Sequence, residues 1–131
     1  MVLSMQKKIE QGRQLSQSLS YAWKGLIYVF VHEQNFRIQV AVGGIVVALM
    51  LWLPLGTIES VVLMLLIMGV LVLEIFNSVV EKFVDIVKPR LTYQVKIVKD
   101  MMAAAVLILS IGTSIIGLLI FMPHIIEIFV Q

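Results

Sequence analysis

Glu74 ends an uncharged apolar run, Ser60 to Leu73, in the segment LVLEIFNSVVEKFVD. A charged side chain at mid-bilayer costs about 2.5–3.5 kcal/mol even on the lower scales, so an acid set in such a run is rarely idle. At about 100° per residue of α-helix, Glu74, Asn77, Ser78, Glu81 and Asp85 fall within about 100° of arc. They form one polar stripe, and Glu74 and Glu81 lie about 10 Å apart along it at 1.5 Å per residue. Two further acids approach the same end: Glu33, in HEQNFR, and Asp100, beside Lys99. Several carboxylates, an amide and a lysine together are an inventory for magnesium and phosphate. Mg²⁺ takes hard oxygen ligands, usually one or two carboxylates plus phosphate oxygens.

Each residue alone has a plainer reading. Asn77 and Ser78 can hydrogen-bond across a helix interface. Glu81 and Asp85 can form a solvated helix end with Lys82 and Lys88, and Lys99 and Asp100 can mark where a helix leaves water. Glu74 resists such a reading, and the shared face favours a joint role. There is no GxxxxGK[ST] and no glycine cluster to cradle phosphates. Phosphate chemistry here must therefore rest on carboxylate-held metal.

The elements that position these groups follow from composition. Of 131 residues, 60% are hydrophobic and 14% charged, against about 45–50% apolar and about 25% charged in soluble domains. A water-soluble fold, a disordered chain and a nucleic-acid-binding domain all fit poorly, so no nucleic-acid partner is expected. No cysteine is present, which excludes disulfides, thiol catalysis and Cys-ligated zinc. The chain reads as a small all-α integral membrane protein.

A bilayer core needs roughly 20 apolar residues per helix. Three stretches qualify, giving expected spans at 35–57, 60–85 and 98–123, with a short turn at Pro54 and Gly56 and a loop at 86–97. Lys7, Lys8, Arg13, Lys24 and Arg37 precede the uncharged stretch of the first span; Lys82, Lys88, Arg90, Lys96 and Lys99 fall between the uncharged stretches of the second and third. All ten basic residues thus share one side, which the positive-inside rule makes cytoplasmic. The expected location is a cytoplasmic membrane, with the N-terminus inside and the C-terminus outside. His32 and His124 then lie on opposite sides, which argues against a His metal pair. The anionic lipid bilayer is partner enough for the formal charge of +2.

Residues 1–34 do not read as a signal peptide, because the early basic residues lead into Gln, Ser and Tyr. Leu15, Leu19, Ala22 or Trp23, Leu26 and Phe30 recur every three or four residues, opposite Gln14, Ser16, Gln17, Ser18 and Ser20. This suits an amphipathic helix on the cytoplasmic membrane surface, with Tyr21 and Trp23 at headgroup depth. A soluble cap packed on the bundle needs the same pattern.

The segment E-I-F-N-S-V-V-E-K-F-V-D, Glu74 to Asp85, resembles the signature E-x-x-N-[ST]-x-x-E-x-x-x-D of the prokaryotic diacylglycerol kinase family, which includes the undecaprenol kinases. Y-A-W-K-G-L (Tyr21 to Leu26), E-x-x-F-R (Glu33 to Arg37) and K-D (Lys99, Asp100) follow in the family's order and spacing. The resemblance runs from about Ser20 to Pro123. It implies a homotrimeric bundle and transfer of the γ-phosphate of MgATP to a membrane lipid alcohol, diacylglycerol or undecaprenol. It further implies that Glu74 is the catalytic base and meets the lipid, and that Glu33 and Glu81 are metal-linked carboxylates near the ATP phosphates. Lys99 matches a phosphate-contacting lysine, Asn77 and Asp100 polar residues of the same site. Tyr21 and Trp23 match the nucleotide and lipid entrance.

Some departures from the family are visible. Gln14 stands where some members carry an ATP-contacting arginine, with Arg13 on another helix face. Met102 and Ala103 replace a Gly-Ser pair of Gram-negative diacylglycerol kinases, and the loop VKPRLTYQVKIV lacks the usual histidine. The ending GLLIFMPHI is closer to the undecaprenol kinase branch, which leans the substrate towards a polyprenol. Two other functions use the same residues: an ion-coupled transporter with Glu74 as proton relay, and a structural membrane subunit without chemistry.

Overall fold

The structure, a computed structural model, describes residues 2–87 and 92–130. Those residues fold into four α-helices: α1 (Val2–His32), α2 (Gln34–Trp52), α3 (Thr57–Val87) and α4 (Thr92–Val130). The chain divides into two compact units, Met1–Gln34 and Asn35–Gln131. Three helices, α2, α3 and α4, are long and apolar enough to cross a membrane, where a helix satisfies every backbone polar group within itself.

The first unit is α1. Its large apolar side chains, among them Leu15, Leu19, Trp23, Leu26 and Phe30, are exposed, while Val29 is buried. Glu33 alone separates α1 from α2, and its N–H still donates to the Val29 carbonyl at 2.8 Å.

In the second unit the turn between α2 and α3 covers residues 53–56, earlier in the chain and longer than the two residues, 58 and 59, that the expected spans left between them. Pro54 lacks a backbone donor and cannot continue a helix ladder, and α2 stops at Trp52. Gly56 then caps α3. The Glu59 carboxylate accepts the Gly56 N–H at 2.7 Å, which is the returning half of a capping box. Helix α3 therefore starts at Thr57, earlier than the expected residue 60.

Helix α4 is also longer than expected. Residues 92–97, expected in the loop, form its first turns, and it continues past Pro123 to Val130. Proline removes one donor, and the run IIEIFV carries the helix on. At 1.5 Å per residue α4 is about 58 Å long, well beyond the roughly 30 Å of a bilayer core. Of the expected loop, residues 88–91 lie outside the described residues.

The core of this unit sits near the α2–α3 turn. Leu53, Leu63 and Phe121 are buried together, with Val46, Leu49, Met50, Leu55 and Ile120 packed around them. His124 on α4 reaches Glu59 on α3 at 3.5 Å at the same end. From this core towards Gln39 the helices leave a partly open cavity of about 370 Å³, lined by apolar side chains with Gln39, Ser110, Thr113 and Ser114 among them. The hydroxyls of Thr113 and Ser114 are spent on the Ser110 carbonyl, at 3.0 and 2.7 Å.

Candidate functional site

The polar stripe of α3 is graded in depth. Glu74 is 2% exposed and Ser78 is 4% exposed; Asn77 and Glu81 are half-buried, and Asp85 is exposed. Along α3 the acids thus pass from buried Glu74 to exposed Asp85. Ser78 does not reach across to another helix: its hydroxyl donates to the Glu74 carbonyl one turn back, at 3.0 Å.

A buried carboxylate needs donors. Glu74 takes one from across the helix pair, where Gln39 Nε2 on α2 donates to Glu74 Oε2 at 3.1 Å. An ionised carboxylate only accepts, so the amide nitrogen is the end that must face it. The Gln39 carbonyl oxygen, Oε1, is buried without a hydrogen-bond partner among the described residues.

Local packing explains how Gln39 gets there. Phe36, Gln39 and Gly43 follow one another at i, i+3 and i+7 on α2, and Phe36 and Gly43 are both buried. A Cβ added at Gly43 would stand 3.1 Å from Ile67 Cγ2 on α3. Glycine therefore allows α2 its approach, and one turn away Gln39 comes within reach of Glu74. At neighbouring Gly44 an added Cβ would meet nothing within 4 Å.

At the open end Lys99 Nζ on α4 donates to Asp85 Oδ1 on α3 at 3.4 Å, both side chains being more than a third exposed. Asp100 is exposed beside Lys99. The second unit therefore brings the stripe and the lysine to one region, with Asp85 as the direct partner of Lys99. Tyr21, Trp23 and Glu33 belong to the first unit or its end. Tyr21 and Trp23 are exposed, and the Lys24 ammonium lies over the Tyr21 ring at 5.8 Å.

No group of three or more His, Asp or Glu side chains is poised to hold a metal among the described residues. Mg²⁺ bound through one or two carboxylates and substrate phosphates needs no such cage. Half-buried Glu81 supplies a hard carboxylate oxygen of the kind that such binding uses.

Gln39 is the residue that sequence reasoning missed. The signal was present: a lone glutamine in the first turns of an uncharged span must find a partner. Which partner depends on the register of two antiparallel helices, which their separate sequences do not state.

Comparison with known proteins bears on this site. The chain is 34% identical over 114 residues to diacylglycerol kinase of Synechocystis sp., covering 86% of this chain and 65% of that protein. It thus spans just under two thirds of the length of that relative. Undecaprenol kinase of Bacillus subtilis is 33% identical over 106 residues, covering 81% of this chain and 86% of its own. Diacylglycerol kinase of Escherichia coli is 33% identical over 104 residues, covering 79% and 85%. These relatives are lipid kinases by name, and the matches include both acceptor types. The prokaryotic diacylglycerol kinase pattern matches residues 20–121, a stretch that contains the whole α3 stripe, Gln39 and Lys99; the chain belongs to the prokaryotic diacylglycerol kinase family.

Proposed function

We propose that this protein transfers the γ-phosphate of ATP to the hydroxyl of a membrane lipid alcohol, diacylglycerol or undecaprenol, at the cytoplasmic face of a bacterial membrane. The observation that carries the reading is Glu74: an acid 2% exposed, held by an amide, at the buried head of a polar stripe. In this reading the acceptor O–H gives its proton to Glu74, the oxygen bonds to the γ-phosphorus, and the bond to the β-phosphate oxygen breaks to release ADP. Such transfer rests on positioning and charge neutralisation, with a base for the attacking hydroxyl.

Glu81 and Glu33 would each offer a carboxylate to Mg²⁺, which would supply neutralisation of phosphate charge when bound. Lys99, released from Asp85, moves its ammonium to the transferring group. Asn77 and Asp100 orient the phosphates. Tyr21 and Trp23 on an interfacial α1 line the entrance for nucleotide and lipid. A homotrimer in the bilayer, N-termini cytoplasmic, completes the proposal; small residues such as Ala103 and Ala104, exposed on α4, suit helix contacts between subunits.

The test is γ-phosphate transfer from MgATP in detergent micelles, with diacylglycerol and undecaprenol side by side. Lipid phosphate formed by the wild type and lost in Glu74→Gln supports the kinase and identifies the acceptor. Folded wild type that phosphorylates neither lipid, yet carries ions down a gradient in vesicles, would instead make Glu74 a transporter's relay.

A further inference from the structure

Gln39 is a poor residue for stability alone. Its Nε2 donates to Glu74 Oε2 at 3.1 Å, but its Oε1 is buried and unpartnered among the described residues. A buried acceptor without a donor costs about 1–3 kcal/mol. The cavity beside Gln39 is lined mainly by apolar side chains such as Ile38, Val42, Ile67 and Val70, and the hydroxyls of Thr113 and Ser114 in its wall are spent on the Ser110 carbonyl. An apolar side chain would fill the same space without an orphaned oxygen, so the amide answers a need that packing does not set.

We infer that Gln39 is a positioning residue of the transfer: its amide holds one oxygen of the Glu74 carboxylate and so presents the other to the hydroxyl of the acceptor lipid. This rests on the kinase reading given above. A buried carboxylate on a flexible three-bond side chain has no other side-chain donor among those described to fix its plane. With Oε2 occupied, rotation of the carboxylate is restrained, and Glu74 Oε1 is the oxygen left to take the proton. Orientation of this kind acts on kcat, since a base misplaced by a fraction of an ångström loses near-attack geometry while substrate binding is untouched.

The same reasoning separates Gln39 from a structural glutamine by the side chains that can replace it. Methionine matches its length and cannot donate. Glutamate matches its shape and donates only when protonated.

The experiment compares wild type, Gln39→Met and Gln39→Glu in the micellar assay, with KM for lipid and for MgATP measured separately. Alongside it, Glu74 is labelled with an apolar carbodiimide and the extent read by mass spectrometry. Gln39→Met should lower kcat about tenfold with both KM values within about twofold of wild type, and should speed labelling of Glu74 severalfold. Gln39→Glu should regain part of that kcat, relative to wild type, as pH falls from about 8 to about 6 and its carboxyl gains the proton it can donate. Met-variant kcat within twofold of wild type, or unchanged Glu74 labelling, overturns the inference. So does a loss of kcat accompanied by a matching rise in KM and no recovery in Gln39→Glu. If the methionine variant does not fold, the pH response of Gln39→Glu decides alone, a flat ratio to wild type counting against the role. A wild type that phosphorylates no lipid overturns the kinase reading instead, and the labelling comparison still decides the Gln39–Glu74 contact.

Discussion

Enlarging Gly43 should uncouple packing from the site in a measurable way. A Cβ there would lie 3.1 Å from Ile67 Cγ2, against about 3.5–4.0 Å for carbons at their best separation. Alanine gains about 0.8–1.0 kcal/mol of helix propensity over glycine. The close contact takes back a similar amount, so Gly43→Ala should be near neutral. Leucine cannot be accommodated by a shift of a few tenths of an ångström and should cost about 1–3 kcal/mol through overpacking. Gly44→Leu meets open space and should be at least as stable as wild type. Trimming the obstructing group with Ile67→Ala should recover part of the Gly43→Leu loss, with a coupling of about 1 kcal/mol in a double-mutant cycle. Activity should fall with Gly43→Leu as well, because Gln39 lies about 6 Å along α2 from the wedge and loses its reach to Glu74. The assay is unfolding in mixed micelles at rising SDS fraction, with phosphoryl transfer on the same samples. Equal stability of the Gly43 and Gly44 leucine variants, or a zero coupling to Ile67, would refute this account of how α2 meets α3.

Other predictions concern the stripe and the ends. Glu74→Gln should abolish transfer, by about a hundredfold or more, while its unfolding midpoint stays level or rises, since an isosteric neutral group is cheaper to bury. Asp85→Asn should change stability by less than about 1 kcal/mol, because its pair with Lys99 is open to solvent; SDS titration measures that. Glu59→Ala removes both the acceptor at the Gly56 N–H and the contact with His124 and should cost about 0.5–2 kcal/mol, read as an earlier thermal midpoint with kcat unchanged.

Much of this architecture was legible because the bilayer is a severe solvent. Long uncharged runs have few alternatives to helix, so α2, α3 and α4 stand out by length and composition. The stripe was legible for the same reason, since helical period alone puts Glu74, Glu81 and Asp85 on one face. Boundaries were less so. The reach of α3 to Thr57 depends on Glu59 turning back to cap Gly56, and the early start of α4 rests on residues that read equally well as a basic loop.

By itself, then, the sequence determined the helical class, the three apolar spans and the face on which the acids align. These depend on local periodicity and on transfer from water, which act along one chain segment at a time. Tertiary structure decided that Gly43 rather than Gly44 faces α3, that Ser78 turns back to its own helix, that Asp85 takes Lys99, and that Gln39 reaches Glu74. Each of those outcomes depends on the rotation and register of one helix against another, set by the length of the turn at residues 53–56 and by the space a missing side chain leaves.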